Sequence, residues 1–75
     1  MKKDQVLEIM MKAINEKVEQ NWNDGTNVSH DIATIINLVK ASGYIEDWQA
    51  EQLFNEVYAG YQLTYSFLFE LGLIK

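Results

Sequence analysis

No proline interrupts this chain of 75 residues, and only Gly25, Gly43, Gly60 and Gly72 punctuate it. Proline and glycine are the residues that most readily end a helix or turn a strand. A chain so poor in both favours long helices over a turn-rich β fold, and the prediction is an all-α protein, one helical domain over residues 1–75. A domain this small buries only about 60% of the surface its unfolded chain exposes, and such domains commonly add a disulfide, a metal or a partner. Cysteine is absent and His30 is the single histidine, so neither a disulfide nor a thiolate or multi-histidine metal site can form. Well-packed helices, an oligomer, or both remain.

Two polar corners, Asn23-Asp24-Gly25-Thr26-Asn27 and Ser42-Gly43-Tyr44, divide the chain into a predicted three-helix arrangement. Helix one is expected from an Asp4 N-cap to about Trp22. Its apolar positions, Val6, Leu7, Ile9, Met10, Met11, Ala13, Ile14, Val18 and Trp22, cover more than half the circumference, which asks for cover on two sides. Helix two follows Ser29 as N-cap, carries Ile32, Ile35, Ile36, Leu38 and Val39 on one face, and ends at Gly43 in the left-handed conformation. Tyr44 and Ile45 then cross the corner into the core. Helix three starts at Asp47 and runs to about Leu71. Its stripe of Ala50, Leu53, Phe54, Val57, Tyr58, Tyr61, Thr64, Tyr65, Leu68 and Leu71 stays in phase across Gly60, which argues for one long C-terminal helix bent near that glycine.

Such a helix of some 25 residues would be roughly 37 Å long, too long for helix two to cover. Its second half is apolar nearly all round. The favoured reading is a helical homodimer joined through Tyr61, Leu63, Tyr65, Phe67, Leu68 and Phe69. The alternative is a monomer in which the wide face of helix one covers that segment.

Charge narrows the class of partner. Six lysines, no arginine and eleven carboxylates leave a net charge of −5. Phosphate backbones are bound by Lys and Arg displacing counterions, so direct nucleic-acid binding is not expected. The corner from Ile35 to Phe54 has the outline of a helix-turn-helix, but its recognition segment would be Glu46-Asp47-Trp48-Gln49-Ala50-Glu51-Gln52, acidic and without a base. Lys2 and Lys3 could open a signal peptide, but Asp4, Gln5 and Glu8 break any apolar run behind them, and no stretch approaches a membrane span. A cytoplasmic protein is expected. The lack of Arg and Pro beside many Lys, Asn, Ile and Glu has the coding style of AT-rich bacteria or their phages.

Catalytic and metal chemistry find little footing. Setting Gly25 at the glycine of an EF-hand places Gln20 and Trp22 where carboxylate ligands belong. A polar turn whose Asn and Asp cap the flanking helices explains the loop better. His30 lies on the polar face of helix two, and Asp47 with Glu51 one turn apart read as a solvated face, without a nucleophile or phosphate loop nearby. Neither an enzyme nor a cofactor is expected.

The distribution of charge is more telling. Residues 41–74 hold Glu46, Asp47, Glu51, Glu56 and Glu70 with no lysine, whereas residues 1–18 are slightly basic. Trp48 projects from the first turn of helix three near Glu51, Gln52 and Asn55, either as an interface hot spot or folded onto Tyr44. The expected function is therefore a small acidic interaction protein, a regulator or inhibitor binding a basic surface of a partner protein through Glu46, Asp47, Trp48, Glu51, Gln52, Asn55 and Glu56. Simple solubility is the plainer account of the acidic face. The alternative function is a structural or accessory subunit docking through the aromatic C-terminal segment.

Overall fold

Four helices, rather than three, carry the fold in the computed structural model, which describes residues 2–75: α1 (Lys3–Asp24), α2 (Ser29–Ala41), α3 (Asp47–Tyr58) and α4 (Tyr65–Glu70). The long helix is the first, at 22 residues, and not the last. No strand occurs among the described residues. The middle helix α2 packs on both α1 and α3. The remaining chain returns across them to close the core.

Both ends of α1 are set locally. The helix starts just before Asp4, which lies in its first turn rather than capping it; the Lys2 amide donates to the Gln5 side chain at 3.2 Å. At the other end Gly25, at φ 74°, donates to the Asn21 carbonyl at 2.8 Å and stops the helix. The following loop is tied by its own polar side chains. Asp24 accepts from the hydroxyl and the amide of Thr26, contacts that hold its carboxyl below the usual carboxylate range. Ser29, expected as the N-cap, is instead the first residue of α2; the N-cap position falls on Val28, and Asn27 Oδ1 accepts from the Ser29 amide at 3.0 Å in a local turn. The corner after α2 forms as expected: Ile45 is buried and Tyr44 packs against the core.

The predicted helix from Asp47 to Leu71 is broken, not bent, at Gly60. Ala59 closes α3, Gly60 turns left-handed at φ 97°, its amide donates to the Val57 carbonyl, and the Tyr61 amide donates to the Glu56 carbonyl. These two bonds make a Schellman motif, which satisfies the last carbonyls of a helix only when the chain leaves it. Four residues on, the Thr64 hydroxyl accepts from the Phe67 amide at 3.1 Å and starts α4. A Cβ at Gly60 would meet nothing within 4 Å, so its replacement tests the backbone alone. Gly60→Ala is expected to destabilise by about 1–2 kcal/mol in urea denaturation; an unchanged midpoint would mean that the helix can run on through this position.

The returning chain is clamped by two side-chain amides. Asn15 of α1 reads the Leu63 backbone as a neighbouring strand would: Oδ1 accepts from its N–H at 2.7 Å and Nδ2 donates to its carbonyl at 2.9 Å. Gln62 Nε2 returns a bond to the Asn15 carbonyl at 3.2 Å. Gln49, buried in α3, accepts from the Glu46 amide and donates to the Leu71 carbonyl, each at 2.8 Å. Leu63, Leu68, Leu71 and Leu73 thereby join Leu7, Ile14, Ile36 and Leu53 in one core. The two-sided cover that α1 needs comes from α2 and from the chain's own C-terminal segment.

Candidate functional site

The acidic residues singled out in the sequence remain together because of helix geometry. Trp48, Glu51, Gln52, Asn55 and Glu56 are spaced three, four, seven and eight from the first, which puts them on one face of α3. That face points outward: Trp48, Glu51, Gln52 and Asn55 are exposed and Glu56 is half-buried. Glu46 and Asp47, both exposed, sit at the head of the same helix, where its dipole favours negative charge. The opposite face, with Ala50, Leu53 and Val57, is buried in the core.

Trp48 is 52% exposed, and its indole N–H donates to Glu46 Oε2 at 3.1 Å. The bond engages the polar edge of the ring, and about half of the residue faces water. Lys40 reaches Asp47 at 3.8 Å, but the Asp47 side chain is 95% exposed and a pair this long and wet contributes little. The ridge therefore keeps its negative field.

The residues assigned to a dimer interface are divided by the fold. Leu63 and Leu68 lie in the protomer's own core and Phe67 is half-buried against it, while Tyr61, Tyr65 and Phe69 are exposed. Only these last three are on offer to another molecule. Three side chains of the predicted apolar faces of the first two helices are instead outside: Trp22 of α1, and Ile9 of α1 with Leu38 of α2, which border a common groove. At the far end of the molecule, Trp22 and Tyr58 wall a cleft of about 260 Å³. Its amide groups are already engaged, Asn21 with the Thr26 carbonyl and Asn27 with the Ser29 amide, and the Tyr58 hydroxyl donates to the Ser29 carbonyl at 3.2 Å. This cleft is held together from within.

Among the described residues, no three His, Cys, Asp or Glu side chains converge as a metal site would require, and no buried side-chain polar atom lacks a partner. No described helix is long and apolar enough to cross a membrane. Neither a family model, nor a curated protein, nor a solved structure matches the chain, so its function has to be read from its own surfaces.

Proposed function

We propose that this is an acidic protein-interaction module, a regulator or inhibitor that occupies a basic surface of a partner protein with the outer face of α3. The observation that supports the reading is a half-exposed tryptophan heading a ridge of Glu46, Asp47, Glu51 and Glu56 in a helix without a single base. A tryptophan ringed by polar side chains supplies a large contact area, and the surrounding acids steer a basic partner toward it. Because the Trp48 indole is already hydrogen-bonded to Glu46, little side-chain freedom is lost when the ring is covered. A second reading has its own observation: Tyr65 and Phe69, one turn apart on α4, are also exposed, and they suit an accessory subunit docking by its aromatic C-terminal segment.

A photo-crosslinking residue placed in turn at Trp48, Phe69 and Thr34 in cells of the native host distinguishes these. The α3 reading expects a protein adduct from position 48, weakened by Glu51→Lys and by raising salt from about 0.1 to about 0.5 M, where surface charges are screened. An adduct from position 69 alone supports the accessory-subunit reading and refutes the first. Absence of any adduct at position 48 leaves the acidic ridge as a solvating face.

A further inference from the structure

Among the aspartates and asparagines of this chain, only Asp24 is followed by a glycine. That pair has a chemistry of its own. The amide nitrogen of the second residue can attack the side-chain carboxyl carbon of the first, forming a C–N bond and releasing one water, to give a five-membered succinimide. Water then opens the ring at either carbonyl. One opening restores aspartate; the other leaves isoaspartate, whose main chain runs through the side-chain carbons. One water leaves, one enters, and nothing is oxidised. Glycine speeds the attack because it has no Cβ to hold the nitrogen away and its backbone turns freely. Asp24, Gly25 and Thr26 are all exposed, so water reaches the pair.

The fold opposes each requirement of that attack. The nucleophile is engaged, since the Gly25 amide donates to the Asn21 carbonyl at 2.8 Å. The backbone is also misaligned. Asp24 is the last residue of α1, and ring closure needs a rotation about its ψ out of the helical well at about −42°. That rotation would carry Gly25 away from Asn21. The leaving group is withheld as well, because only a protonated carboxyl can release its oxygen as water. Asp24 accepts from the Thr26 amide at 2.9 Å and from the Thr26 hydroxyl, bonds that favour the ionised form. Asn21 completes the arrangement, its Nδ2 donating to the Thr26 carbonyl at 2.9 Å.

We infer that Asp24–Gly25 is a latent isoaspartate site, held shut by Asn21 and Thr26 and released when the end of α1 opens. Helix ends open at a lower cost than the core, so the site responds to opening of this corner before the whole chain unfolds. Once formed, the isomer adds an atom to the main chain at the end of α1. The Gly25 amide then no longer falls on the Asn21 carbonyl, and the entry to α2, where Val28 is buried, is displaced. The corner joining α1 and α2 is thereby disabled, with water as the only reactant.

Prolonged incubation of the full chain at mildly acidic pH and body temperature tests the assignment, folded and in about 6 M guanidinium chloride. The tryptic peptide of residues 18–40 carries the pair, and its isoaspartyl form is separated by chromatography and identified by electron-transfer fragmentation. The folded chain should form the isomer about tenfold more slowly than the unfolded one. Thr26→Val should raise the folded rate about twofold, and Thr26→Val with Asn21→Ala about fivefold, each still helical by circular dichroism and each matching wild type when unfolded. Asp24→Glu, whose ring would need six members, should form none in that peptide. Absence of the isomer from the unfolded chain, or equal rates in the folded and unfolded chains, overturns the proposal. Folded variants that isomerise no faster than wild type overturn the roles given to Asn21 and Thr26. Finally, the isomerised chain, separated from the intact one, should unfold at lower denaturant; an equal midpoint overturns the disabling of the corner.

Discussion

Replacing Asn15 by Leu is expected to cost about 2–4 kcal/mol, the most damaging polar-to-apolar change on α1. The side chain makes two hydrogen bonds to the backbone of one residue, to the Leu63 N–H at 2.7 Å and the Leu63 carbonyl at 2.9 Å. Removing it strands a donor and an acceptor together in a part-buried place, at about 1–3 kcal/mol each where water is excluded. A chain of this length has a total stability of about 4–11 kcal/mol, so the loss is a large fraction of the whole. Urea denaturation followed at 222 nm measures it. Asn15→Asp gives a sharper test through its pH dependence. An ionised carboxylate still accepts from the Leu63 amide but faces the Leu63 carbonyl with no proton to donate; the neutral acid has one. Folding therefore favours the protonated form and raises the carboxyl pKa above its unfolded value. The stability of this variant, relative to wild type, should be greatest below the ordinary carboxylate pKa of about 4 and fall as the pH rises through the higher folded value. A relative stability that instead improved with rising pH would contradict the donor role given to Asn15 Nδ2.

Why Asn15 escapes a reading of the sequence is instructive. It sits on the polar arc of α1, and its partner lies 48 positions away, so no local pattern announces the pair. Gln49 is hidden for the same reason: its bond to Leu71 spans 22 positions. The broken helix has a different cause. Val57, Tyr61, Thr64, Leu68 and Leu71 are spaced three or four apart, so the helical period carries straight across Gly60 although the backbone does not. A local signal was present, a glycine followed four residues later by a threonine able to cap, and the continuous stripe outweighed it. By contrast, the corner at Gly43 with Ile45 behind it, the polar Asp24–Asn27 loop and the outward face of α3 follow from short-range chemistry and were legible. The apolar excess near the C-terminus was legible as a demand for cover. What supplies the cover depends on where the chain turns, and that rests on Gly60 and Asn15.

The second large effect separates two neighbours that look alike in the sequence. Leu68 is 0% exposed in the core and Phe69, the next residue, is 63% exposed on the outer face of α4. Leu68→Ala should cost about 3–4 kcal/mol, the loss of a buried side chain plus the cavity it leaves. For a domain of this size that corresponds to a melting temperature lowered by about 12–32 °C. Phe69→Ala should change stability by no more than about 0.5 kcal/mol. Thermal melts of the two variants side by side decide the matter: equal effects would mean that the C-terminal segment is not docked on α1 and α3 through its leucines. The contrast also governs how function can be probed. Deleting residues 66–75 removes Leu68, Leu71 and Leu73 from the core together, so loss of a partner on truncation would report unfolding rather than a lost contact. Phe69→Ala leaves the core intact and strips the aromatic surface of α4, just as Trp48→Ala strips the head of the acidic ridge. Comparing those two folded variants for partner binding is what separates an acidic regulator from an accessory subunit.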